Sequence, residues 1–155
     1  GPVAMTVSSI ASVEIDPPAL VFSASSRSSS TPTIRRAETV VVHLLTSHEV
    51  DLAKLGARSG IDRFGPDVEW ARLSTGEPYY PGAGTWLRGR IVERVEVHGS
   101  TLVIVEAIEA GPVADAAASD PRPLVYHNRN WFVLGEKSML PATTVPLFTV
   151  YGRDE

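Results

Sequence analysis

The sequence predicts a mainly β protein, with six or so antiparallel strands and two short helices forming a closed or nearly closed barrel. Three observations lead there. Thr85–Ala110 reads as two long strands about a tight His98-Gly99-Ser100 turn. Apolar segments of strand length recur on both sides of it, and the segments with helical spacing are short. No internal repeat is visible.

Val3–Val13 alternates loosely through Val3, Met5 and Val7 and reads as a strand. Asp16-Pro17-Pro18 is a rigid break, because paired prolines cannot continue a ladder. Ala19–Ser23 is a second strand, running into a hydroxyl-rich stretch, Ser23 to Thr31, interrupted by Arg27. Thr31-Pro32 reads as a helix start, with Thr31 as N-cap, proline in the first turn and an end near Ala37. Thr39–Leu45 is a continuous apolar run rich in β-branched residues, expected as a central strand buried on both faces.

Thr46-Ser47-His48-Glu49 has the capping-box pattern and opens a helix to about Ala57, with Val50, Ala53 and Ala57 on one face. Gly56 and Gly60 bracket its end. Ile61–Gly84, punctuated by Gly65-Pro66, Gly76, Pro78 and Pro81-Gly82, is mostly loop. Its aromatics, Phe64, Trp70, Tyr79 and Tyr80, either plug the core or touch a ligand, and the plug is the simpler reading. Trp86–Val97 alternates loosely, with Leu87, Gly89, Ile91, Val95 and Val97 against Arg88, Arg90, Glu93, Arg94 and Glu96. Gly111–Pro123 is a connector, and Leu124–Leu134 supplies two short strands around His127-Asn128-Arg129-Asn130. The expected division is one domain over residues 1–137 and a tail over 138–155 that packs on the barrel or on a second copy.

At 155 residues, 43% apolar and 21% charged, the chain fits one compact domain with a real core. A net charge of −4 argues against a broad nucleic-acid surface but allows a local cationic pocket. Absence of Cys removes disulfides, thiolate metal sites and thiol catalysis, and the four histidines lack metal-ligand spacing. No apolar run approaches membrane-spanning length and no signal-peptide pattern is present, so the expectation is a metal-free cytoplasmic protein without membrane partners.

No Gly-x-Ser-x-Gly elbow, Walker loop or Gly-x-Gly-x-x-Gly loop is present, which disfavours hydrolase, nucleotide-hydrolysing and Rossmann readings. What remains is the stretch Ser23–Arg36. Composition alone favours a flexible serine-rich loop. Its setting, a strand before and a capped helix after, favours an anion cradle in which small side chains admit a phosphate and Ser hydroxyls and Arg27 donate to it. A second cationic loop, Arg58–Arg63, and the late His127-Asn128-Arg129 complete the candidates. Together they suit a phosphorylated aromatic ligand that brings its own chemistry. His43, inside an apolar strand, reads as a satisfied core histidine, and Arg35-Arg36 as a solvated face.

These residues carry a resemblance. Gly1–Val13, then Asp16-Pro17-Pro18-Ala19-Leu20, then the Ser/Arg/Thr cluster ahead of Ile34-Arg35-Arg36-Ala37 resembles the flavin reductase-like, FMN-binding split-barrel family. Thr39–Leu45, Asp51–Ala57, Ser59–Phe64 with Val68-Glu69-Trp70, and Pro123-Leu124-Val125-Tyr126-His127 follow in the same order. The resemblance implies a six-stranded antiparallel Greek-key split β-barrel and a homodimer that binds FMN or FAD. It implies ring contacts from Thr6, Val7, Ser8 and Ser9, largely through backbone. Ribityl and phosphate contacts would come from Ala24, Ser25, Ser29, Ser30 and Thr31, aided by Arg27, Arg58 or Arg63, with Phe64 in the same flavin-binding set. His127 is the residue it implies beside flavin or nicotinamide in a catalytic role.

The implied activity is hydride transfer from NAD(P)H to flavin, with reduced flavin supplied to a partner monooxygenase. Two departures stand out. Where the family's hairpin carries Gly-Asp-His-Thr, this chain has His98-Gly99-Ser100-Thr101, which leaves a flavin-binding protein without nicotinamide turnover as the alternative. The family also has a helix and a strand ahead of the position equivalent to Gly1, so an edge is expected that a partner subunit or the tail covers.

Overall fold

The computed structural model describes residues 1–111 and 122–140. Most of the expected connector and most of the expected tail, residues 112–121 and 141–155, lie outside the described residues. The fold is mainly β and antiparallel throughout. A five-stranded sheet has the order β1-β2-β7-β6-β3, built from Ile10–Ile15, Pro18–Ser25, Ser100–Ala110, Thr85–Val97 and Thr39–Leu44. Two small hairpins accompany it, β4–β5 (Ala71–Arg72, Pro78–Tyr79) and β8–β9 (Leu124–His127, Asn130–Val133). Among the described residues the sheet does not close into a six-stranded barrel.

The strand expected from Val3 begins only at Ile10. Residues 1–9 form an irregular segment whose Val3, Met5 and Val7 nevertheless pack on the core, so the alternation reported burial rather than ladder pairing. Asp16-Pro17-Pro18 is a hairpin turn: Ile15 faces Pro18 across it, and the Asp16–Pro17 peptide is cis. Pro18 is tolerated as the first residue of its strand.

The β6–β7 hairpin is the spine of the molecule. Two bulges interrupt the pairing: the first, at Arg88/Gly89, has its extra residue, Ile108, in β7, and the second has Val92 as the extra residue of β6, which changes which later β6 residues face inward. Ile91 is therefore 7% exposed while Val95 and Val97, expected on the same face, are 43% and 44% exposed. Gly89 sits at the first bulge, where a Cβ would press on Val105 and the Glu106 carbonyl. Phe22 and Ala24 of β2, Ile34, Ile91, and Val103 and Val105 of β7 form the core cluster.

β3 corrects an expectation. It is an edge strand, paired only with β6 among the described residues and half-buried from Thr39 to His43, with Leu44 exposed. Its apolar run faces a cavity instead of a second neighbouring strand, with Val40, Val41 and Val42 all in the lining. The helix expected over Pro32–Ala37 is a single turn, α1 (Thr31–Ile34), whose N-cap is Ser30 rather than Thr31. The capping box forms, with Glu49 accepting from the Thr46 amide at 2.6 Å, but it caps a 3-10 turn over Ser47–Glu49, and α2 (Val50–Ala57) begins only after that turn. Among the described residues, no helix is long and apolar enough to cross a membrane.

Candidate functional site

The hydroxyl loop between β2 and α1 is folded on itself. The Arg27 amide donates to Ser25 Oγ at 3.3 Å and the Ser30 amide to Ser28 Oγ at 3.3 Å. Ser30, 1% exposed, donates its hydroxyl to the Ala4 carbonyl at 2.7 Å, and buried Thr31 donates to the Ser25 carbonyl at 2.6 Å. Those two hydroxyl protons are thus committed to backbone. With α1 only one turn long, the helix end offers little of the expected dipole. What the loop presents outward is Ser26, Arg27 and Ser29, all exposed. Among the described residues Arg27 makes no ion pair. Ser26 also donates its amide to the Gly99 carbonyl at 2.9 Å, which ties the loop to the β6–β7 turn.

Residues 1–9 are wedged between this loop and α2. On one side Ala4 accepts from Ser30, and the Ser9 carbonyl accepts from the Ser23 amide at 3.4 Å. On the other, Thr6 donates its hydroxyl to the Ala53 carbonyl at 2.6 Å. Gly56 makes that approach possible. A Cβ there would overlap Thr6 Oγ1 and lie 3.0 Å from the Thr6 amide, so Gly56 serves packing inside the helix rather than its end.

Beyond this segment opens a cavity of about 1140 Å³, lined by Thr6, Val7 and Ser8, by β3, α2 and the β8–β9 hairpin, and by Phe64 and Tyr80. It lies at or above the usual range for small-molecule sites, roughly 300–1,000 Å³. Arg58, Lys54 and Arg72 add cations to a lining that is otherwise mainly apolar. Its wall over residues 58–84 is fixed from several directions. Phe64 stacks on Tyr80 at 5.5 Å and meets Trp70 edge-on at 5.1 Å, so these aromatics pack on one another, with Tyr80 buried and Phe64 half-buried in the cavity lining. Tyr80 donates its hydroxyl to the Arg63 carbonyl at 3.0 Å, and burial pushes its own pKa up to about 12. Glu77 accepts from Thr39 Oγ1 at 2.5 Å, from Arg88 Nε at 2.7 Å and from Thr75 Oγ1.

The sequence model of the flavin reductase like domain matches residues 1–135. The chain belongs to the flavin reductase like domain family. An NADH:FMN oxidoreductase of Rhodococcus qingshengii is 37% identical over 134 residues, covering 85% of this chain and 68% of that protein. A flavin reductase domain protein from Arthrobacter sp. FB24 shares the fold at a TM-score of 0.76 and 28% identity, over 90% of this chain and 82% of that one. A nitrilotriacetate monooxygenase component B homolog from Mycobacterium thermoresistibile reaches 0.78 at 19% identity, over 94% and 79% of the two chains. That last likeness speaks to the fold alone.

In this flavin reductase like domain the expected site residues fall on two sides of one segment. Thr6, Val7, Ser8, Arg58 and Phe64 share the cavity lining. Ser9, Ala24, Ser25, Arg27, Ser29, Ser30 and Thr31 belong to the hydroxyl-loop side, and Ser8 and Ser9 are exposed next to it. Arg63 stands behind the cavity wall, its guanidinium donating to the Arg58 carbonyl. His127 is exposed at the tip of β8, its ring 6.4 Å from Phe132, and it is not in the cavity lining. The donors present suit a flavin phosphate: an unpaired guanidinium, exposed hydroxyls and an adjacent backbone segment. Sequence reasoning did not single out Glu77 or Lys54, both in the cavity lining; Glu77's partners Thr39 and Arg88 lie on other elements.

Proposed function

We propose that this chain is an NAD(P)H-dependent flavin oxidoreductase acting on FMN or FAD. The carrying observation is that the Ser30–Ala4 bond sets the hydroxyl loop beside the Thr6–Ser9 segment. In this reading Arg27 and Ser29, with Ser25, hold the phosphate, while Thr6–Ser9 bound the ring through backbone groups; Ala24, expected among the phosphate contacts, is fully buried in the core and is left out. Ser30 and Thr31 contribute by fixing the loop, since their protons are already used. Arg58 and Phe64 bound the ring's far side, and Arg63 keeps Arg58 in place. When bound, the flavin supplies the chemistry: it accepts a hydride from NAD(P)H. The chain's part is to align two flat rings, exclude water and supply donors to developing negative charge. His127 would join only if the hairpin of a second copy meets this surface.

The same reading includes a homodimer, cytoplasmic placement and a six-stranded barrel completed against the free edge of β3. Val95, Val97, Leu102 and Ile108, exposed together on the outer face of β6 and β7, support a second copy. A flavin released in reduced form implies a consumer that uses it on dioxygen, a partner monooxygenase.

A flavin-holding protein without nicotinamide turnover is the second reading, favoured by the His98-Gly99-Ser100-Thr101 turn that lies against Ser26. Purified protein given NADH or NADPH with free FMN separates the two. The oxidoreductase consumes nicotinamide well above the uncatalysed rate, and the holder does not.

A further inference from the structure

His43 has no place in the flavin contacts above, yet both of its ring nitrogens are used. Nδ1 lies 3.2 Å from the Ala83 carbonyl, and Nε2 lies 3.3 Å from the Tyr80 amide. A carbonyl can only accept and an amide can only donate. The ring is therefore neutral, with its proton on Nδ1 and its lone pair on Nε2 receiving the Tyr80 N–H. The imidazole also packs against the Tyr80 ring at 5.8 Å, and Tyr80 in turn bonds the Arg63 carbonyl and stacks on Phe64. One side chain on β3 thereby holds the far end of the 58–84 segment that walls the cavity.

We propose that His43 is a positioning residue, a neutral imidazole clasp that holds the Tyr80–Ala83 turn and, through Tyr80, the Arg63–Phe64 corner of the flavin site, and that protonating it opens the clasp. The part concerning flavin rests on the function proposed above. An imidazolium has no acceptor, so gaining a proton turns the Tyr80 N–H···Nε2 bond into two donors facing each other. The surroundings favour the neutral ring. Burial holds the His43 pKa below the usual histidine value, outweighing the opposing pull of the Ala83 carbonyl and of Glu49.

Of the groups facing the ring, Glu49 is the carboxylate, and it is already engaged by the Thr46 amide and hydroxyl. Tyr80 stays neutral over the relevant range. β6 presents Trp86 opposite, which carries no charge. A group whose folded pKa is lowered binds its proton more weakly in the folded state. The clasp is therefore fully closed above the unfolded histidine value and opens as pH falls through the folded one.

Amide hydrogen exchange of the wild-type chain, without flavin, reads the clasp directly. The protection factor at the Tyr80 amide is expected to fall about tenfold or more from pH 8 to pH 5. His43→Gln, which offers a donor and an acceptor but no titrating proton, is expected to remove that pH dependence. Constant wild-type protection at Tyr80 across this range, or an unchanged pH dependence in His43→Gln, overturns the proposal.

FMN titration at pH 8 tests the link to the site. His43→Leu is expected to raise the FMN Kd about threefold to tenfold, the effect of one lost hydrogen bond. Should that variant not fold, Tyr80→Phe, which removes only the bond to Arg63, is expected to raise it in the same direction. A normal Kd with the clasp open overturns the positioning role. Failure of the wild type to bind FMN would instead sink the flavin reading and leave the amide result standing.

Discussion

At Glu77, burial pushes the carboxyl pKa upward, but hydrogen bonds from Thr39, Thr75 and Arg88 outweigh it and bring the value down to about 2. The folded state therefore binds fewer protons than the unfolded chain between about pH 4.5 and about pH 2. The carboxylate's contribution is present above that window and lost as pH falls through it. By linkage this corresponds to about 3 kcal/mol, which solvent screening reduces to about 2–3 kcal/mol. Urea denaturation at pH 7 should find Glu77→Gln destabilised by about that amount, with Arg88 left without its charge partner. The difference from wild type should shrink steadily toward pH 2, and a gap that holds constant with pH would contradict the assignment. Only the Thr75 contact is local in the sequence; Thr39 and Arg88 lie on β3 and β6 and reach the carboxylate only once the sheet is assembled. Ser30 and Thr31 teach the same lesson. Their residue types suit an anion cradle, but the carbonyls of Ala4 and Ser25 that take their protons become visible only once the segments are packed.

Local signals served well wherever a single element carried them. The Thr46–Glu49 capping box and the hairpin about His98-Gly99 both depend on residues a few positions apart, and both form where read. The bulge at Val92 defeated the β6 reading, because one inserted residue inverts the parity of every side chain after it. β3 was misplaced for a related reason: an apolar run signals burial without saying whether a strand or a cavity lies alongside. The β8–β9 turn holds a prediction at this scale. Asn128 and Arg129 both adopt positive φ, 49° and 63°, as a two-residue turn of this hand requires. Asn tolerates that conformation, whereas a long side chain at Arg129 does not do so readily. Arg129→Gly should therefore raise stability by about 1 kcal/mol, seen as a higher thermal midpoint with an unchanged far-UV spectrum. A lower midpoint would mean that the arginine makes an interaction worth more than its strain.

For the molecule as a whole, the order β1-β2-β7-β6-β3 matters because it carries the β2–α1 loop to one side of the N-terminal segment and α2 to the other. Residues 1–9 become the shared wall between an outward-facing set of hydroxyls with Arg27 and an apolar cavity with cations in its lining. The resemblance named segments that the structure sets against residues 1–9, since order along the chain survives folding. It did not reveal that Ser29 and Arg27 are exposed outside the lining of the cavity that holds Phe64 and Arg58, which is a matter of three-dimensional packing. The central claim is that the hydroxyl loop grips the anionic end of a flavin. Paired titrations of wild type and Arg27→Ala with FMN and with riboflavin test it most directly. Losing a charge-assisted contact to phosphate should weaken FMN about tenfold to a hundredfold and leave riboflavin nearly unchanged. Equal loss for both ligands, or no loss for either, would place the phosphate elsewhere and contradict the account.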